Sequence, residues 1–156
     1  MKYLRLLALV LVLMACDKQR IFEENKPIAE GFWYVDDVMD FQFDIEDVDL
    51  AYNIYTNVSH SSEYNFYNLY YKYTLQDSTA KDIKSELVNI NLFDPKTGVP
   101  LGKGLGDVFD HNQLILEDFE FEKPGKYKIS FQQYMRTDSL PNIVFIGARV
   151  ERALNE

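Results

Sequence analysis

From Phe32 onward the apolar residues of this chain recur at every second position. In MDFQFDIE, Met39, Phe41, Phe43 and Ile45 fall on one side and Asp40, Gln42, Asp44 and Glu46 on the other. That is the pattern of a half-buried strand with a solvated acidic face. The alternation returns with Tyr52, Ile54, Thr56 and Val58, with Leu69, Tyr71, Tyr73 and Leu75, and with Val88, Ile90 and Leu92. It returns again with Phe119 and Phe121, with Tyr127, Ile129 and Phe131, and with Ile146, Ala148 and Val150. Turn signals separate these runs: the polar residues 59–63, QDST, DPKTG and the glycine-rich GVPLGKGLGD. No stretch carries a convincing helical stripe. Seven or eight short strands punctuated in this way predict an all-β protein, an antiparallel β-sandwich of immunoglobulin-like or jelly-roll topology.

One segment adds detail. In FEFEKPGKYKISF a Pro-Gly turn leads into Tyr127. This is similar to the tyrosine corner of immunoglobulin-like domains, where the ring packs inward and the hydroxyl finds a backbone partner.

The start of the chain follows a different logic. Lys2 and Arg5 precede an unbroken apolar run from Leu6 to Met14. Nine residues are too short for a bilayer span, which needs about 20, but suit the core of a secretory signal peptide. Ala15 and Cys16 then complete LMAC, which resembles a bacterial lipobox, with the lipid attached to the thiol and cleavage just before it. Cys16 is the chain's one cysteine, so no internal disulfide competes for it. Two acyl chains give stable anchoring without a membrane-spanning element. The expected organisation is a cleaved lipoprotein signal peptide over 1–15, a lipidated N-terminus and polar tether over 16–30, and one sandwich domain over 31–156. The expected modification is a covalent diacylglycerol and acyl lipid on Cys16; no other cofactor is expected.

Composition narrows the function. The formal charge is −9, and losing Lys2 and Arg5 with the leader takes it to −11. Such a balance excludes a nucleic-acid partner, which needs a basic face. His60 and His111 lack metal-ligand spacing and read as loop histidines; no nucleophile elbow is present. GVPLGKGLGD is not a phosphate loop, because three residues rather than four separate Gly98 from Gly102 and glycine follows Lys103. The acidic residues sit on the solvated sides of predicted strands, and nothing fixes a catalytic separation between any two. The sequence therefore predicts a non-enzymatic protein. In SEYNFYNLYYKY, Tyr64, Phe66, Tyr67 and Tyr70 form a candidate platform for sugar rings, with Tyr71 and Tyr73 in the core. The tripeptides DST and DSL resemble the O-glycosylation motif of secreted Bacteroidetes proteins, making Ser78 and Ser139 candidate acceptors.

The lipobox, FDI in the first long strand, GKGLGD, and the closing KPGKYKISFQQYMRTDSLPNIVFIGARVE together resemble the GldH family of gliding-motility lipoproteins from Bacteroidetes. The chain departs from that pattern at Asn142, where glycine is expected; asparagine also tolerates a left-handed backbone. The resemblance implies an envelope component required for gliding and linked to type IX secretion, with other envelope proteins of that machinery as partners and the membrane reached through the anchor. DKQR after Cys16 lacks the acidic run associated with surface export in that group, which favours a periplasm-facing position. The candidate partner contacts are Lys103 and Asp107 in the glycine loop, Gln133 and Arg136 in QQYMRTD, and Arg149. Arginine's planar fork suits interfaces; for Arg149 a cross-strand ion pair is the alternative. A glycan-binding envelope module is the second functional reading.

Overall fold

The computed structural model describes residues 19–154, and statements of absence below refer to these residues. Cys16 and the lipobox lie outside them. The strands are β1 (Arg20–Pro27), β2 (Phe32–Tyr34), β3 (Met39–Ile45), β4 (Ala51–Ser61), β5 (Asn68–Gln76) and β6 (Asp82–Asn91). They continue with β7 (Lys103–Leu105), β8 (Val108–Glu120), β9 (Gly125–Gln133), β10 (Ser139–Pro141) and β11 (Ile143–Arg152). A single 3-10 turn, Ala29–Gly31, is the one helical element.

Two antiparallel sheets face each other. The larger runs β1-β11-β4-β8-β7 and the smaller β3-β9-β5-β6, with β2 and β10 forming a separate two-stranded ribbon. Setting aside the three-residue strands leaves eight. One sheet then holds the first, eighth, third and sixth of these, the other the second, seventh, fourth and fifth. That is the jelly-roll arrangement, which decides between the two topologies the sequence left open.

The alternating residues build the core. Phe41, Phe43 and Ile45 from β3, Tyr71, Tyr73 and Leu75 from β5, and Ile129 and Phe131 from β9 meet Tyr52, Ile54, Ile146, Ala148 and Val150 from the larger sheet. Burying each large side chain contributes roughly 2–3 kcal/mol. Tyr127 is buried, and its hydroxyl donates to the Lys123 carbonyl at 2.7 Å, so the tyrosine corner forms within a jelly roll.

The tether expected over 16–30 needs correction. Residues 20–27 are β1, an edge strand paired antiparallel with β11 from Arg20↔Glu151 to Pro27↔Phe145. Its sequence, RIFEENKP, offers little apolar alternation because an edge strand buries little. Phe22 packs on Phe43 with ring centroids 5.9 Å apart, and Lys26 lies over the Phe41 ring at 4.7 Å. Even Gln19 joins the sheet, its carbonyl accepting the Arg152 N–H at 2.8 Å. Pro27 closes the strand, where its missing N–H does no harm.

Two ends follow from these registers. One gathers Gln19, Ile45, Ala51, Gln76, Glu120 and Arg152; the other gathers Pro27, Ser61, Asn68, Asn91, Gln133 and the β7–β8 hairpin.

Candidate interaction surface

The glycine loop of the sequence becomes the β7–β8 hairpin, with Lys103↔Asp110 and Leu105↔Val108 in register. Two glycines make it possible. At Gly102 the backbone has φ +92°, and a Cβ there would stand 2.6 Å from the Asp110 carbonyl oxygen. At Gly104 a Cβ would meet the Phe109 ring at 2.5 Å. The tip is tied to the end of β4, where Ser62 N–H donates to the Asp107 carbonyl at 2.8 Å; beside it, Ser61 N–H donates to the Asn142 carbonyl at 3.0 Å. Asn142 has φ 68°, the left-handed geometry expected of it, and its side-chain amide donates to the Glu63 carbonyl at 2.9 Å. Leu105 at this braced tip is 91% exposed, an unusual position for a leucine in a fixed backbone.

Beneath the hairpin sits a pair the sequence did not reveal. His60 and His111 are not loop residues; they lie in β4 and β8, with Nε2 atoms 3.1 Å apart. His60 Nδ1 lies 2.9 Å from the Ser61 carbonyl, which places a proton there and leaves Nε2 to accept from His111 Nε2–H. Phe93 and Phe109 pack on the His60 ring, with centroids 5.0 and 5.7 Å away. Burial holds both imidazoles below their ordinary value, and the neighbouring His60 helps bring His111 down to about 4. Two neutral rings sharing one hydrogen bond serve here as a polar strut between strands. Among the described residues no group of three or more His, Cys, Asp or Glu side chains is placed to hold a metal ion.

The outer face of the larger sheet carries a second polar assembly. Asn57 on β4 donates to Glu23 Oε1 and Asn25 Oδ1, both at 3.0 Å, and accepts from Asn112 on β8. Arg149 on β11 donates to Asn112 Oδ1 at 2.8 Å, lies 3.2 Å from Glu151, and stacks over Tyr55 at 4.3 Å. Gly147 leaves room for it, since a Cβ there would fall 1.8 Å from Asn25 Oδ1. The network borders a cleft of about 590 Å³ lined by Lys103, Asp110, His111, Gln113 and Arg149 among others.

The expected contact residues divide. Lys103 and Arg149 line the same cleft, though Arg149 is already engaged by the sheet's own residues: its ion pair is with Glu151 of the same strand, and its cross-strand partners are Asn112 and Tyr55. Asp107 is exposed on the hairpin turn, and Arg136 is exposed in the loop between β9 and β10. Gln133 must be corrected: it is fully buried, donating to the Thr137 carbonyl at 2.9 Å and accepting the Met135 N–H at 2.8 Å. It shapes the QQYMRTD loop from beneath and cannot reach a partner. Tyr64 also leaves the proposed sugar platform, being buried with its hydroxyl on the Asn68 carbonyl, whereas Phe66, Tyr67 and Tyr70 stay exposed. Tyr71 and Tyr73 are core, as expected. Ser78 is exposed in the turn between β5 and β6; Ser139 is half-buried in β10.

The family model for the GldH lipoprotein matches residues 20–150. The chain belongs to the GldH lipoprotein family. Among GldH proteins, the gliding motility lipoprotein GldH homolog of Christiangramia forsetii is 29% identical over 153 residues, covering 94% of this chain and 92% of that one. The gliding motility lipoprotein GldH of Flavobacterium johnsoniae is 27% identical over 154 residues, covering 94% of each. GldH membership makes this a gliding-motility lipoprotein by family, and therefore a membrane-anchored component of the envelope. Among solved structures, the infectious bursal disease virus VP2 subviral particle aligns with 83% of this chain and 30% of its own, at 12% identity and a TM-score of 0.38. That likeness carries no functional weight.

Proposed function

We propose that this GldH protein is a non-enzymatic interaction module of the gliding apparatus and its linked type IX secretion machinery, anchored through a lipid on Cys16 and facing the periplasm. Its partners are other envelope proteins of that machinery. The observation that carries the reading is the braced β7–β8 hairpin, which holds Leu105 in solvent between the charged Lys103 and Asp107. A loop without a partner has no reason to fix a leucine outward, whereas an apolar anchor with a charged rim is how protein interfaces concentrate affinity. Arg136 belongs to the same end and supplies a second polar contact. Replacing residues 103–107 by a neutral linker should leave the sandwich folded and anchored but abolish gliding. Gliding at the unmodified rate would overturn this assignment of the contact.

A second reading, glycan binding, draws on the exposed Tyr67 and Tyr70, with Tyr134 placed beside Tyr70 by its N–H bond to the Tyr70 carbonyl at 2.8 Å. A glycan array with the soluble domain, compared with Tyr67→Ala and Tyr70→Ala, tests it. Saturable binding lost in both variants would favour it over the protein contact.

A further inference from the structure

Gln19 is already bonded to Arg152 in the large sheet. Only Asp17 and Lys18 therefore separate it from Cys16. Three peptide units span about 11 Å when fully extended. A headgroup layer is itself about 5–8 Å thick, so a lipid on Cys16 leaves the Gln19 corner almost no freedom to rise from the surface.

That corner is defined by the sheet order. β1 is one edge of the larger sheet and β7 the other, and the Gln19 end of β1 is opposite the end that carries the β7–β8 hairpin. The hairpin therefore occupies the diagonally opposite corner. Standing upright, the sheet would lift it by the length of β4, roughly 35 Å at 3.3 Å per residue. Leaning over onto β1, it would still lift it by four strand spacings, roughly 19 Å. Only with the outer face of the larger sheet laid flat would Leu105 come as low as Gln19, and that face would press the polar Glu23, Asn25, Asn57 and Asn112 against lipid.

We infer that the lipid grips this protein by the Gln19 corner, making the β7–β8 hairpin the part of the domain held farthest from its own membrane. The inference rests on the lipidated Cys16 of the proposed function. Side-chain chemistry agrees with it. Of the fifteen exposed large apolar residues among those described, twelve lie toward the hairpin end, so that end suits a protein surface. The Gln19 end instead carries Glu46, Asp47, Asp49, Glu117, Asp118 and Glu120, which outnumber cations such as Lys123, Lys126 and Arg152 and leave no net attraction for anionic headgroups. Contact with the membrane is made by the anchor alone.

The test uses the full lipidated chain in vesicles. Acylation of Cys16 leaves no other thiol, so Leu154→Cys and Asp107→Cys each give one labelling site, at the Gln19 corner and the hairpin respectively. With a nitroxide on the lipid headgroups, a fluorophore at 154 should be quenched several-fold more than one at 107. Equal quenching, or stronger quenching at 107, in protein that sediments with vesicles would overturn the orientation. Failure of the intact chain to sediment, or mass spectrometry finding no lipid on Cys16, would overturn the anchoring reading and the orientation with it. Unlipidated Cys16→Ser protein should remain in the supernatant with anionic vesicles; binding there would contradict attachment by the anchor alone.

Discussion

The two ends of this sandwich are made of different material. The Gln19 end is closed by acidic loops and by tight turns such as 77–80, where Asp77 accepts from the Thr79 and Lys81 N–H groups. The hairpin end is apolar outside and polar inside: Leu105 is in solvent while the two histidines are bonded under cover. That inversion runs against the hydrophobic effect, and the fold sustains it with glycines and backbone ties specific to the hairpin. An end that merely terminates strands needs no such arrangement. An outward leucine over a fixed backbone is what the proposed contact requires of the hairpin end, and nothing at the other end answers to that demand.

Gly102→Ala strikes the hairpin's foundation, adding a Cβ 2.6 Å from a carbonyl oxygen at φ +92°. It should lower unfolding free energy by about 2–4 kcal/mol, read from urea denaturation. Asn57→Ala, between the ends, strips partners from Glu23, Asn25 and Asn112 and should cost about 2–3 kcal/mol in the same assay.

The histidine pair makes the comparison pH-dependent. In the folded state His111 lies at about 4 against an ordinary 6.5, so between those values the unfolded chain binds more protons. Stability should therefore fall as pH drops from about 6.5 toward 4 and be insensitive to this pair above 6.5. Asp77 and Asp94, held low by hydrogen bonds to Thr79 and Thr97, add their own loss only below the usual carboxylate range. His111→Gln should flatten the upper window; an unchanged slope there would show that the pair is not the titrating element. At the Gln19 end, by contrast, Ala80→Gly relieves a residue at φ 62° and should raise stability by about 0.5 kcal/mol. For the proposed glycans, mass spectrometry of the native protein should find Ser78 modified more fully than the half-buried Ser139.

Legibility in the sequence followed burial. Every strand with one face in the core, such as Phe41-Phe43-Ile45 or Tyr127-Ile129-Phe131, announced itself by alternation. Among strands that bury little, β1 reads as polar and β7 as a glycine loop, whereas β6, with Ile90 alone buried, still showed its alternation. In β8, register shifts opposite Ile54 disrupt the period between Leu114 and Leu116. Lys103, Asp107 and Arg136 are exposed, as their turn-like segments suggested. Gln133 was misread because its polar side chain suggested exposure, although the Tyr127-Ile129-Phe131 alternation extends to it and places it on the inward face. His60 and His111 are 51 positions apart, and only the pairing of β4 with β8 brings them together.

The most direct test of the account sets one substitution at each end against the other in gliding cells. Leu105 is 91% and Leu154 70% exposed, so Leu105→Asp and Leu154→Asp should each change stability by less than about 0.5 kcal/mol. With equal amounts of folded, membrane-bound protein, Leu105→Asp should stop gliding and Leu154→Asp should leave its speed unchanged. Normal gliding with Leu105→Asp, or equal loss from both, would contradict it.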